Sequence, residues 1–385
     1  MFKTTIALSL LLAVASASMA AAKPWTVMYY VVVDERTLQH ELDAVKKIPG
    51  SITDEGQVNA VLQWDTHKEA CGRYVAKSGK WDQLQDKIPD NMGDGVTLFG
   101  FVDWAMKTYP AERYILFIGG HGSGFEDKWG PGSLADAARP TSWFRADLVS
   151  RAGLAEKLSV RSPRAELTTS MRTAVPQLVT NEPAKGTAYD YDDKDCLTVQ
   201  EIRVVLEEIQ KRHLNGKKLD ILAYSSCWQM NLESIYEHQG LVDHIVGCET
   251  VSYSGSPLFY GFLPTLCKNP TAPAADLTAR MIKDYIHGAE SALTVAAIDT
   301  SRFRRVAMAL DRMAVELLRV YRNPKNHGVD GSAFRNVLFT DSDFHKNEER
   351  FIDVSTIADN VIQKKTGFAP TAPSAPRTSR TSRPT

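Results

Sequence analysis

Two apolar runs, each breaking into a cluster of small residues, constrain the fold of this chain more than any other feature. Tyr114-Ile-Leu-Phe-Ile118 runs into Gly119-Gly-His-Gly-Ser-Gly124, and Leu219-Asp-Ile-Leu-Ala-Tyr224 runs into Ser225-Ser-Cys-Trp228. Short apolar runs bounded by Gly and Ser read as strands buried on both faces, the habit of parallel sheets. Each is preceded by helical periodicity. Thr97 opens a stretch carrying Leu98, Phe101, Val102, Ala105 and Met106 on one stripe, and Pro110 ends it. Thr198 and Glu201 make a capping box ahead of Ile202, Val205, Leu206 and Ile209, and Gly216 stops that helix. Helix followed by strand, twice, predicts an α/β fold with a mostly parallel central sheet.

The remaining chain extends the alternation. Trp25–Val33 is a strand ending at Asp34, and a helix around Leu38 to Ile48 follows, stopped by Pro49-Gly50. Val58–Gln63 is a second strand ending at Trp64-Asp65, and Arg73–Ala76 belongs to a hairpin or an edge strand. After Cys227 come a helix over Met230–Glu237, a strand over Asp243–Gly247, a helix near Ala275 to Ala292, a strand over Leu293–Ile298 and a helix over Arg302–Val320. From about residue 131 to 188 the pattern dissolves into Pro, Ala, Ser and Thr, dotted with Arg139, Arg145, Arg151, Arg161, Arg164 and Arg172. A loop this long inside a compact domain is either functional or disordered. The tail, residues 367–385, is too poor in apolar residues to fold.

At the amino terminus one positive charge precedes a short apolar stretch, and small residues Ser16 to Ala22 follow. This is the pattern of a secretory signal peptide cleaved after about Ala20 or Ala22, leaving one domain over 23–366. No later run is long enough to cross a bilayer, so the expected location is periplasmic or secreted. A formal net charge of -1, with Lys and Arg dispersed, gives no basic field for nucleic acid. The five cysteines show no CxxC pair and no metal-ligand spacing. An odd count in an oxidising compartment leaves at least one thiol unpaired, and nucleophilic use of Cys227 would account for it.

In an open α/β sheet, ligands bind beyond the carboxyl ends of the strands. His121 and Cys227 are delivered to such an edge and are the candidate base and nucleophile. A helix starting at Cys227 would draw its thiol toward the thiolate. Gly122 lets the backbone approach a substrate, and its N–H with that of Cys227 forms a candidate oxyanion hole. Asp34, Asp65, Ser225 and Glu249 are candidate substrate-binding residues. Asp190, Asp192, Asp193 and Asp195 lack EF-hand spacing; they read as a solvated acidic loop, with calcium the alternative, and no cofactor is otherwise expected.

The ordered series resembles the clostripain-like peptidases, of the group that contains caspases, legumains and gingipains. It comprises Trp25-Thr-Val-Met28, Val58 to Asp65, Asn91-Met-Gly-Asp-Gly-Val-Thr-Leu98 and Tyr109 to Tyr114. It continues through His121-Gly-Ser-Gly124, Ala188-Tyr-Asp190 with Leu197-Thr198, Glu249-Thr250 and Ala297-Ile-Asp299. The resemblance implies a caspase-like α/β/α sandwich and a Cys-His dyad, Cys227 with His121, acting on protein or peptide substrates. Two departures stand out. Ser225-Ser226 stand where the family usually has Asp-Ala, and the loop Val251–Pro257 lacks the acid that many members use to bind Arg or Lys. The expected function is an exported cysteine endopeptidase, self-processed within 131–188. The alternatives are a catalytically silent binding protein on the same scaffold, or a related transpeptidase.

Overall fold

A computed structural model describes residues 22–33, 38–66, 69–86, 88, 91–124, 186–250, 252, 257–288 and 294–322. The leader, Asp34, residues 125–130, residues 131–185 of the arginine-dotted segment, most of the 251–257 loop and the 367–385 tail lie outside the described residues. The chain divides into two compact units, Met1–Arg304 and Arg305–Thr385. The described part of the second is helical, residues 305–322.

The elements follow the alternation. They are β1 Lys23–Val33, α1 Gln39–Ser51, β2 Val58–Thr66, β3 Glu69–Lys77, β4 Lys80–Asp86, α2 Gly95–Thr108 and β5 Ala111–Gly119. Then come β6 Gly186–Asp190, β7 Asp195–Thr198, α3 Val199–Arg212, β8 Leu219–Ser225, α4 Leu232–Glu237 and β9 Val242–Cys248. After a single 3₁₀ turn, Pro257–Phe259, follow α5 Leu263–Lys268, α6 Ala274–Gly288, β10 Val295–Asp299 and α7 Thr300–Arg322.

Eight strands form one sheet in the order β10-β9-β8-β5-β1-β2-β3-β4. The five inner strands β9, β8, β5, β1 and β2 run parallel, and β10, β3 and β4 join antiparallel. The mostly parallel sheet is therefore as expected, with Arg73–Ala76 inside the β3–β4 hairpin. Continuous apolar character has its cause in two covered faces. Trp25, Val27, Tyr29 and Val31 pack with Ile115, Phe117, Ile221 and Ala223 against Leu42 and Val45 of α1, Leu263 and Leu266 of α5, and Met281 of α6. On the opposite face, Tyr30 meets Phe101 of α2 at 5.9 Å between ring centroids and donates its hydroxyl to the Met92 carbonyl.

Local boundaries differ from expectation where side chains compete for helix ends. Asp94, not Thr97, caps α2, accepting the Val96 N–H at 2.8 Å. Pro49 does not stop α1; it lies in the last turn, where its carbonyl takes the Ile52 N–H at 3.2 Å and its ring is buried. The Thr198–Glu201 capping box forms with both reciprocal bonds. Gly186–Ala188, expected inside the irregular segment, are buried residues of β6.

Candidate active site

Strand register sets the geometry of the site. β5 and β8 are adjacent and parallel, and Gly119 pairs with Ser225. His121 and Cys227 each lie two residues past that pair, so both chains leave the sheet together at one edge. Gly120 makes the exit on the β5 side, with φ +127 and its N–H bonded to the Ser225 carbonyl at 3.3 Å. A Cβ there would stand 2.7 Å from the Val32 carbonyl oxygen, so only glycine fits. Gly122 then packs against the turn that carries Cys227. A Cβ on it would stand 2.7 Å from the Cys227 carbonyl oxygen and 2.8 Å from Gln229 Nε2.

Cys227 is partly exposed, whereas Cys71, Cys196, Cys248 and Cys267 are buried, and none of the five forms a disulfide. Its Sγ accepts the Ser252 N–H at 3.2 Å and lies 3.7 Å from the Ser252 carbonyl oxygen. The expectation of a lowered thiol pKa is overturned. Helix α4 begins at Leu232, capped by Asn231, so Cys227 precedes it by five residues. Burial instead pushes the Cys227 thiol up to about 11, opposed by the Ser252 N–H and reinforced by Cys248 and Glu41. The residue after it, Trp228, is buried at φ +63, a left-handed conformation that is strained for a bulky side chain.

The described candidate binding residues share this edge but not one point. Glu249 follows β9, is exposed, and donates its N–H to the Thr294 carbonyl at 3.1 Å. Asp65 is buried at the end of β2. It is separated from β5 by β1, about 10 Å at ordinary strand spacing. Ser225 is 1% exposed and directs its hydroxyl to the Glu41 carboxylate, at 3.3 and 3.5 Å to the two oxygens. Asp190 and Asp195 spend their carboxylates on backbone amides, Asp190 on Met92 and Asp193, Asp195 on Cys196, with the Asn91 amide as a further donor to Asp195. Among the described residues no group of three or more His, Cys, Asp or Glu converges as a cation site.

Sequence reasoning missed several residues around the pair. Glu41 on α1 is 2% exposed, and burial raises its carboxyl pKa to about 8 against the hydrogen bond from Ser225. Its signal was available: it sits in the apolar stripe Leu38, Leu42, Val45, Ile48, where a carboxylate has no ordinary reason to be. Gln229 is buried and donates from Nε2 to the carbonyls of Cys227 and Gly186, at 3.1 and 3.2 Å. Thr187 donates its hydroxyl to Ser226 Oγ at 2.6 Å, and the Tyr191 ring stands edge-on to His121, 5.7 Å between centroids and 89° between planes. Thr187 and Tyr191 flank Ala188-Tyr-Asp190 and Gln229 follows Trp228, but no residue type or spacing there marked these side chains individually.

The family model described as the clostripain family matches residues 178–369, which hold Cys227 but not His121. Among solved structures, an inactive zymogen C11 protease from Parabacteroides distasonis is similar at 18% identity and a TM-score of 0.47. That match covers 74% of this chain and 65% of that one, so this chain spans just under two thirds of the zymogen's length. A secreted C11 cysteine protease from Bacteroides thetaiotaomicron, in complex with an irreversible peptide inhibitor, is similar at 13% identity and a TM-score of 0.48, covering 74% and 69%. No curated protein matches by sequence.

Proposed function

This chain belongs to the clostripain family, and from that premise we propose that it is a cysteine endopeptidase with Cys227 as nucleophile and His121 as proton carrier. The observation that carries the reading is the Gly119–Ser225 register, which brings both residues off neighbouring parallel strands at equal depth. Cys227 gives its proton to His121, and the thiolate sulfur attacks a peptide carbonyl carbon. The backbone N–H groups of Gly122 and Cys227 stabilise the oxyanion. The C–N bond then breaks, His121 returns the proton to the leaving amine, and water hydrolyses the thioester. Substrates are proteins or peptides. The leader sequence supports export, and the long, irregular, Arg-rich 131–188 segment is the candidate processing linker.

A second reading has one observation in its favour. A thiol near 11 leaves only about one Cys227 in ten thousand ionised at pH 7, which suits a silent binding protein on the same scaffold. Hydrolysis of a peptide library by wild type, Cys227→Ala and His121→Ala separates the two. The peptidase reading requires turnover that both substitutions abolish. Equal background in all three proteins would leave the binding protein. Intact-mass comparison of wild type and Cys227→Ala checks self-processing, since cuts in both or in neither would rule it out.

A further inference from the structure

The hairpin β6–β7 touches both catalytic loops at once. On the His121 side, Gly122 forms an antiparallel bridge with Thr187, closed by the Ser123 N–H on the Gly186 carbonyl at 2.9 Å. Ser123 Oγ and the Tyr189 hydroxyl share a 2.5 Å hydrogen bond. Tyr189 stacks on Tyr191 at 6.3 Å, and the Tyr191 ring meets the His121 imidazole edge-on. On the Cys227 side, Thr187 donates to Ser226, and Gln229 ties the Cys227 carbonyl to that of Gly186. Ser123, Thr187 and Asp190 are 0% exposed and Ser226 and Gln229 are 1% exposed. The links through Thr187, Ser123 and Gln229 are therefore buried and geometrically stiff, whereas His121 and Tyr191 are half-buried.

The hairpin is itself anchored away from the site. Asp190 accepts the Met92 N–H at 2.8 Å, and Asn91 donates to Asp195 at 3.0 Å, fixing it to the loop ahead of α2. Ala188 holds φ +53 between Thr187 and Tyr189. A non-glycine residue keeps that conformation only where its surroundings over-determine it. The segment is thus a rigid part with two working contacts, one for each member of the dyad.

We propose that Tyr191 and Thr187 are positioning residues: Tyr191 fixes the imidazole plane of His121, and Thr187 fixes the Ser226 turn that carries Cys227. The inference rests on the Cys227–His121 reading and adds what holds the two loops in mutual register. Each acts through a neighbour, Tyr191 through the His121 ring and Thr187 through Ser226. Tyr191 acts through its ring, so Tyr191→Phe keeps the function and Tyr191→Leu loses it. Loss of an edge-to-face pair corresponds to about a threefold to tenfold change in rate.

The test measures alkylation of Cys227 by iodoacetamide, located by peptide mapping, in wild type, His121→Ala, Tyr191→Phe, Tyr191→Leu and Thr187→Val. This reaction needs the paired thiol but no peptide turnover. The expected order is wild type equal to Tyr191→Phe, then Tyr191→Leu and Thr187→Val about threefold to tenfold slower, with His121→Ala slowest. In peptide hydrolysis the same two variants should lose kcat and keep KM. If His121→Ala is slow but Tyr191→Leu and Thr187→Val match wild type, the positioning role is wrong and the dyad stands. If His121→Ala also matches wild type, the dyad fails and the inference falls with it. Should Tyr191→Leu not fold, Thr187→Val, nearly isosteric, decides alone. A Tyr191→Phe protein as slow as Tyr191→Leu overturns the role assigned to the ring.

Discussion

Replacing Glu41 by Gln should remove a loss of stability that grows with pH. Glu41 is buried on α1, its carboxyl raised to about 8 by that burial. In the unfolded chain it titrates near 4.5. Below pH 4.5 both states hold the proton and the residue contributes no pH dependence. Between 4.5 and 8 the folded state keeps the proton and the unfolded state releases it. Because the native state binds more protons there, stability falls as pH rises. The slope is about 1.4 kcal/mol per pH unit, so the whole window is worth about 5 kcal/mol, and above pH 8 the penalty is constant.

Gln keeps an oxygen that can accept from Ser225 but carries no titratable proton. Any fixed cost of burying its NH₂ shifts the variant's stability equally at every pH. The difference in slope between the two proteins is therefore the clean quantity. Urea titrations at half-unit steps from pH 5 to 9 should show the midpoints diverging. Over the three units from pH 5 to 8 the gap should widen by about 1.4 M in favour of Gln, taking an m-value of roughly 3 kcal/mol/M. Other titrating groups, including Glu201, which burial also raises to about 8, are common to both proteins and cancel. Parallel midpoint curves would refute the reasoning, because a carboxyl that titrates alike in both states cannot be held protonated by the fold.

Two further substitutions bear on the site and its frame. Gly122→Ala places a Cβ 2.7 Å from the Cys227 carbonyl oxygen; displacing that backbone by up to 1 Å should cost about 100-fold in peptide turnover, measured as kcat/KM with near-native circular dichroism. His238 is fully buried, held by a 2.6 Å hydrogen bond with Tyr224, and its pKa is lowered to about 3 by burial and then by Arg203. Below pH 6.5 the unfolded chain takes up a proton that the folded one refuses, so wild type should lose about 1.4 kcal/mol per pH unit on acidification toward 3. Acid titration of His238→Gln should show a flatter curve; an unchanged acid limb would mean that His238 titrates normally in the fold.

What could be read from the sequence was whatever obeys a period or a cap. The runs at Tyr114–Ile118 and Leu219–Tyr224 became neighbouring parallel strands because two covered faces demand unbroken apolar sequence. Thr198 and Glu201 announced their helix because a capping box is a local device. The register that aligns His121 with Cys227 was implicit in the same runs. Thr187, Tyr191 and Gln229 were not legible. Thr187 and Tyr191 belong to a hairpin folded across the end of the sheet, and Gln229 meets that hairpin from the turn after β8, tertiary contacts with no periodicity of their own. Glu41 was legible in principle, as an acid in an apolar stripe, but only the structure pairs it with Ser225.

The error over the Cys227 thiol is the most instructive. A strand followed by a helix suggests a thiol at the helix start, yet Cys227 and Trp228 lie in a turn and Asn231 caps the N-terminal amides of α4. Burial then dominates. Ionising a thiol near 11 at pH 7 costs about 5 kcal/mol. The Ser252 N–H, a single hydrogen bond to a charged group, returns about 1.5 to 3 kcal/mol and is already counted in that value. An imidazolium brought to about 4 Å contributes about 4 kcal/mol at an effective dielectric constant of 20. That nearly offsets the cost, and no other group on β8 could. On the proposed pairing, whether Cys227 ionises is decided across the β5–β8 register, by how well His121 is held, and so by the hairpin proposed to hold it.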